Sequence, residues 1–237
     1  MSRWRAWAQD LGQVLLPARC LVCGERGAGR QDLCRDCRAA LPWNRIACAR
    51  CALPLPHPAP RCGHCRSAPP PFDGGHAALR YGFPLDRLLP RLKFHGDLAA
   101  GRLLAELGAE ALAEAPRPQL LLPVPLHPAR LRQRGYDQAL ELARPLAQAL
   151  GLPLCADRLR RQRATAAQSE LGAQARRRNV RGAFALRSGP LPAHVAVFDD
   201  VMTTGATLAE CCRLLKQAGV ARVDAWAVAR APAPGAG

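Results

Sequence analysis

Short apolar runs alternate with amphipathic stretches from residue 75 to residue 229. Residues 75–81 suit a short strand. Leu85, Leu88, Leu89, Leu92 and Phe94 fall at helical spacing that Pro90 is expected to break, and residues 98–115 predict a helix. Residues 120–126, LLLPVPL, read as a buried strand ending in a loop over 127–135. A helix over 138–150, stopped by Gly151, comes next, then a strand near 152–155, a basic stretch and a strand over 183–186. Val195, Ala196, Val197 and Phe198 form a β-rich run with no polar face, as a strand covered by helices on both sides requires. Leu208, Cys212 and Leu215 mark a helix reaching Ala218, and residues 221–229 suit the last strand. Strands alternating with helices predict an α/β fold with a parallel-sheet core. Ahead of this series, Trp4, Trp7, Leu11, Val14 and Leu15 suit a lead-in helix over residues 1–17.

Composition narrows the class. A chain of 237 residues, 49% hydrophobic and 22% charged, fills one core and a small appendage rather than staying disordered. No apolar run approaches the ~20 residues of a membrane helix. The N-terminal segment is no secretion signal, since its longest apolar run is Val14, Leu15 and Leu16, with Asp10 upstream. A cytoplasmic protein without an integral membrane segment is expected. Net charge is +16, and among 34 basic residues only Lys93 and Lys216 are lysines. A GC-rich coding bias accounts for the choice of arginine but not for the excess charge. That charge concentrates in residues 158–181, where eight arginines face one acid, Glu170. Such a stretch attracts a polyanion, nucleic acid or pyrophosphate, unless it is a solvated loop.

Eight of the eleven cysteines form four C-x-x-C pairs: Cys20/Cys23, Cys34/Cys37, Cys48/Cys51 and Cys62/Cys65. Two such turns complete a closed tetrahedral zinc site, so two structural zinc ions are expected. A cytoplasmic location argues against disulfides. Consecutive pairing and cross-braced pairing, first knuckle with third, both satisfy the spacing. His57 and His64 lie near the second site but are expected to be bystanders to four thiolates. The metal supplies stability that so small a core lacks. A chelator is therefore expected to unfold the ribbon and leave the later domain largely folded. Nine arginines from Arg19 to Arg66 interleave with the knuckles, which suits nucleic acid, a protein partner or plain scaffolding.

After the strand at 195–198 come Asp199 and Asp200, then Thr203, Thr204, Gly205, Ala206 and Thr207 at a helix start. Backbone N–H groups at a helix N-terminus, with hydroxyls beside them, suit a phosphate. Carboxylates would repel a phosphate but suit vicinal hydroxyls, or a magnesium ion shared with them. Together they fit a ribose 5-phosphate. An acidic turn with no ligand is the plainer alternative. The segment resembles the phosphoribosyl-pyrophosphate loop of type I phosphoribosyltransferases. That resemblance implies ribose and magnesium contacts for Asp199 and Asp200, and a 5-phosphate cradle for residues 203–207. It implies a pyrophosphate loop over 125–135, with Arg130, Arg132 and Arg134 as cations. It also implies a closing lid over 158–181, with Arg176 and Arg178 as candidates. Family members that use 6-oxopurines have an acid where this chain has Thr203, so that activity is disfavoured.

The whole chain is similar to the ComF family, also called GntX-like or DNA-utilisation proteins. The pieces are the cysteine ribbon, Leu92-Lys93-Phe94-His95-Gly96, Val124-Pro125-Leu126-His127, Arg134-Gly135-Tyr136-Asp137-Gln138, Gln168 to Asn179, and the acid–threonine loop. Where the family often has asparagine, this chain has Asp137. The resemblance implies a type I phosphoribosyltransferase-like core (118–231) behind a small double zinc ribbon (18–67). A Pro-rich linker (68–72), a strand–helix–helix segment (73–117) and a disordered tail (232–237) complete the expected organisation. It further implies a role in DNA uptake. Three readings stay open: a phosphoribosyl-transferring enzyme with no identified catalytic nucleophile; a binder of phosphoribosyl pyrophosphate and single-stranded DNA; and an adaptor linking a DNA-uptake helicase to incoming DNA.

Overall fold

The computed structural model describes residues 18–29, 31–164 and 178–232. The expected lead-in helix, the tail beyond 232, and the middle of the basic stretch, with Arg176, lie outside them. Among the described residues no helix is long and apolar enough to cross a membrane.

Four parallel strands form the central sheet in the order β1-β6-β5-β2: β1 is Gly74–Arg80, β2 Leu120–Pro123, β5 His194–Met202 and β6 Arg222–Arg230. The fold is α/β, as the alternating pattern required. Along β5, Ala196 and Phe198 join one apolar cluster while Val195 and Val197 join the other, so period-two alternation feeds two buried faces. Helices α4 (Leu98–Leu112) and α6 (Gln138–Leu150) contribute Leu103, Leu104, Leu142 and Leu146 to the first cluster. Helix α7 (Ala206–Gln217) contributes Leu208, Cys211, Cys212 and Leu215 to the second.

Four expectations change. Helix α3, Leu85–His95, continues past Pro90, because burial of Leu85, Leu88, Leu89 and Leu92 on one stripe outweighs the lost hydrogen bond. The stretch after β2 is not all loop: α5, Pro128–Arg134, has proline at its start and Gly135 (φ 83°) at its end. The strand expected near 152–155 reduces to one bridge, Leu121 to Leu154. Finally, the basic stretch contains β3 (Leu159–Arg161), paired antiparallel with β4 (Phe184–Leu186).

The cysteine ribbon, with its short helices α1 (Arg35–Ala39) and α2 (Gly63–Ser67), straddles the β1 edge of the sheet. Cys20, Leu33 and Leu41 are buried in the first cluster, whereas Cys48, Cys51, Cys62 and Cys65 are buried in the second. The chain between the two halves crosses the edge strand. The amide of Asn44 donates to Ala78 O (3.0 Å), that of Arg80 to Pro42 O (2.7 Å), and that of Gly75 to Ala49 O (3.0 Å). An open edge would otherwise expose these groups. Around the ribbon, Arg102 pairs with Asp32 (2.6 Å) and Arg91 donates to Leu21 O (2.9 Å). Residues near 70 lie back on the ribbon, since Arg50 donates to Pro70 O (3.0 Å) and Phe72 is buried.

Gly75 marks the closest approach. A Cβ there would meet Cys51 Cα at 2.8 Å and Arg50 O at 2.9 Å, both backbone atoms that cannot swing aside. Gly75→Ala should therefore destabilise the fold by about 1–3 kcal/mol, the usual cost of overpacking. Urea denaturation checks it, and an unchanged midpoint would mean that the ribbon does not bear on β1.

Candidate functional site

At the carboxyl ends of β5 and β2, where open α/β sheets bind ligands, lies a cavity of about 1120 Å³. Strand β5 extends to Met202, so Asp199 and Asp200 are residues of the strand itself rather than of the turn behind it. Both line the cavity, with Thr203, Thr207, Arg130 and Arg134. Arg132 does not line it, and Arg178 lies apart at the margin of the described residues. Thr204, Gly205 and Ala206 form the turn rather than the wall. Gly205 takes φ 72°, Thr204 Oγ1 accepts from the Ala206 amide (3.3 Å), and no side chain caps α7. Left-handed backbone at that point favours glycine.

Several wall residues were not singled out for a ligand from sequence. Arg161 enters from β3, with its guanidinium carbon 5.3 Å from the Phe184 ring centroid. Burial, and Arg130 close by, pull its pKa down, while Asp199 opposes them. Tyr81, Lys93, Phe94, His95, Tyr136 and Gln138 line it as well. The string from Leu92 to Gly96 was visible as a family signature but carried no role.

The two acids are crowded. Burial, then the Asp200 carboxylate beside it, push the Asp199 carboxyl well above its ordinary range. Asp199 Oδ1 accepts the Asp200 amide (2.9 Å), and Asp200 Oδ1 accepts the Val201 amide (2.8 Å). Asp137 has a different task. Its Oδ1 caps α6 through the amides of Ala139 (3.0 Å) and Leu140 (3.2 Å), and its Oδ2 accepts the Leu126 amide (2.8 Å). Both oxygens accept, which an asparagine amide cannot reproduce. The aspartate thereby ties the loop after β2 to α6, despite burial that raises its pKa.

The ribbon resolves the pairing that spacing left open. Cys20, Cys23, Cys34 and Cys37 form one cluster, and Cys48, Cys51, Cys62 and Cys65 the other, so consecutive knuckles pair. Cys23 and Cys34 Sγ are 3.7 Å apart, as are Cys51 and Cys62 Sγ. A zinc tetrahedron with bonds of ~2.3 Å has edges of about 3.8 Å. The donor set fits zinc, and four thiolates leave no open position. Burial raises the Cys48 thiol, but the Cys62 amide (3.2 Å from its Sγ) and neighbouring backbone groups bring it down to about 7.

Residues 11–66 match a double zinc ribbon domain, and residues 137–236 a phosphoribosyl transferase domain. The DNA utilization protein YhgH of Salmonella typhi is 36% identical over 224 residues, spanning 92% of this chain and 99% of that protein. Its counterpart in Escherichia coli K12 is 33% identical over the same shares. Competence protein F of Haemophilus influenzae is 34% identical over 90% of this chain and 97% of that one. The chain belongs to the ComF family.

In this ComF-family chain, ribbon and cavity meet at Arg230, which sequence reasoning did not reach. Its buried guanidinium donates from Nε to Cys51 O (3.0 Å), in the second zinc cluster. From Nη1 it donates to Met202 O (2.9 Å), Thr203 O and Ala231 O (2.7 Å). One cation thus holds the backbone of a zinc ligand against the turn below the cavity. Burial pulls its pKa down, and the nearby thiols of Cys51, Cys62 and Cys65 oppose that.

Metal analysis of protein purified without added zinc should return about two equivalents, from four ligands per ion. Because the second cluster belongs to the sheet's own core, stripping zinc should lower the melting temperature of the whole chain in one transition. That departs from the independent unfolding expected from sequence, and a sheet domain melting unchanged after chelation would restore it. Asp199→Asn should raise the melting temperature of the ligand-free protein. The raised carboxyl binds its proton more tightly folded than unfolded, so stability falls as pH climbs above the unfolded value of ~3.9. The gain of the variant over its parent should grow over that same range. Thermal melts from pH 4 to 8 check it, and a gain independent of pH would contradict it.

Proposed function

We propose that the cavity binds phosphoribosyl pyrophosphate, or a related ribose 5-phosphate ligand, with magnesium, and that the chain serves DNA uptake or utilisation by handling single-stranded DNA. The observation that carries the reading is one cavity holding two adjacent acids, the threonine turn before α7, and arginines from α5 and β3. Each ligand part has a chemical counterpart there. Asp199 and Asp200 accept hydrogen bonds from a ribose diol, and such contacts relieve the crowding that raises Asp199. The turn over 203–207 brings threonine hydroxyls and the N-terminus of α7 together for a 5-phosphate. Arg130 and Arg161 offer charge to a pyrophosphate, which bidentate guanidinium groups hold well. The hard oxygen donors suit magnesium, which when bound draws charge from the pyrophosphate.

The relatives named for DNA utilization and competence support the process. The net charge of +16 supports binding to nucleic acid. A second reading, an adaptor between a DNA-translocating helicase and incoming DNA, draws on the same relatives and needs no turnover. The proposal is one of binding, and it assigns no catalytic nucleophile.

Phosphoribosyl pyrophosphate with magnesium should raise the melting temperature by mass action. Asp200→Ala should abolish most of that shift, and Thr207→Val should weaken binding by about 1–3 kcal/mol through a lost hydroxyl contact. Calorimetry and thermal shift at millimolar ligand check both. No heat and no shift with the parent protein would leave the acid–threonine loop as architecture alone.

A further inference from the structure

Phe94 is the most exposed large apolar side chain among the described residues, at 68%, yet it lines the cavity. The fold does not require a ring there. The buried stripe of α3 is Leu85, Leu88, Leu89 and Leu92, and Phe94 falls off it. The turn beneath it is pinned: Gly96, at φ 65°, ends the helix, and the Tyr136 hydroxyl donates to Leu92 O. Two cations attend the ring. The Arg134 guanidinium carbon lies 5.8 Å from its centroid and Lys93 Nζ 6.0 Å, within cation–π range.

The cavity, at about 1120 Å³, exceeds the ~300–1,000 Å³ of ordinary small-ligand pockets. Asp199, Asp200 and the threonines account for a ribose phosphate, and the lining also includes the aromatic and cationic residues Tyr81, Lys93, Phe94 and Arg134.

We propose that Phe94, flanked by Arg134 and Lys93, is a stacking subsite for one base of a single-stranded nucleic acid crossing the mouth of this cavity. The proposal rests on the nucleic-acid reading above and gives it a location. A base presents a flat face to the ring while the adjoining phosphates meet the two cations, the combination by which single strands are held without reading their sequence. Charge favours this occupant over a protein segment. The groups flanking the ring are the cations Arg134 and Lys93, and the chain as a whole carries a net charge of +16. A low aromatic content, 5% of residues, rules out an extended platform but not one well-placed ring.

Fluorescence anisotropy with a labelled oligothymidylate tests it, beside an abasic oligonucleotide of equal length and charge. Phe94→Ala should weaken oligothymidylate binding about tenfold, the scale of one base–aromatic stack. Phe94→Trp should restore it. Because the ring is exposed, the melting temperature of Phe94→Ala should match the parent's, which separates lost stacking from lost folding. The parent should bind the abasic strand as weakly as Phe94→Ala binds oligothymidylate, and the variant should lose nothing further on the abasic strand. Salt-sensitive binding that Phe94→Ala leaves intact would overturn the subsite while the nucleic-acid reading stands. Equal binding of abasic and thymidine strands by the parent would overturn it too. If the parent binds neither strand, the nucleic-acid reading falls and takes the subsite with it.

Discussion

One buried guanidinium joins the two halves of this protein. Arg230 sits at the end of the last strand and donates to carbonyls from the second zinc cluster, the end of β5 with the turn after it, and its own neighbour. The planar fork makes this feasible, since a lysine ammonium lacks the fixed geometry to serve carbonyls on opposite sides. A buried cation costs desolvation, and here hydrogen bonds and nearby thiols offset it. Cys51 belongs to a four-cysteine site whose zinc would anchor its side chain, and Arg230 holds its carbonyl. The position of the turn below the cavity is thereby referred to the metal site.

That connection changes what a zinc ribbon means here. Small metal modules are often beads on a string, each folding with its ion. In this chain the ribbon supplies cysteines to both apolar clusters and covers the β1 edge. A parallel sheet needs both faces and both edges managed. Helices cover the faces, and the ribbon covers one edge. Gly75 follows from the same arrangement, because backbone approaching backbone at that distance leaves no room for a Cβ.

The cavity shows the opposite arrangement, in which local stability is given up. Asp199 and Asp200 sit together at the end of a buried strand, and burial raises the proton affinity of Asp199. Gly205 adopts a left-handed conformation and leaves α7 uncapped. Phe94 holds an aromatic ring out of the core. Asp137 works in the other direction, spending three amide hydrogen bonds to brace the loop and helix beneath the site. Departures from good local folding concentrate where a ligand would repair them, and the bracing lies just behind.

Much of this was legible in the residues alone. Period-two and helical spacing located the main strands and helices, because those signals depend on neighbours a few positions apart. C-x-x-C pairs marked two four-cysteine sites for the same reason, and the acid pair before a threonine–glycine turn marked the strand end that lines the cavity. What tertiary structure decided depends on residues far apart in the chain. Ten-residue gaps could not choose between consecutive and crossed knuckles; the folded chain brings Cys20 to Cys34 and Cys48 to Cys62. Pro90 looked like a helix stop until the burial of four leucines around it outweighed one lost hydrogen bond. Arg161 was one arginine among eight until β3 turned it into the cavity. Arg230 bore no local mark at all, since its partner Cys51 lies 179 residues away. Spacing encodes which groups can share a helix face or an ion, whereas burial and long-range contact determine which of them meet.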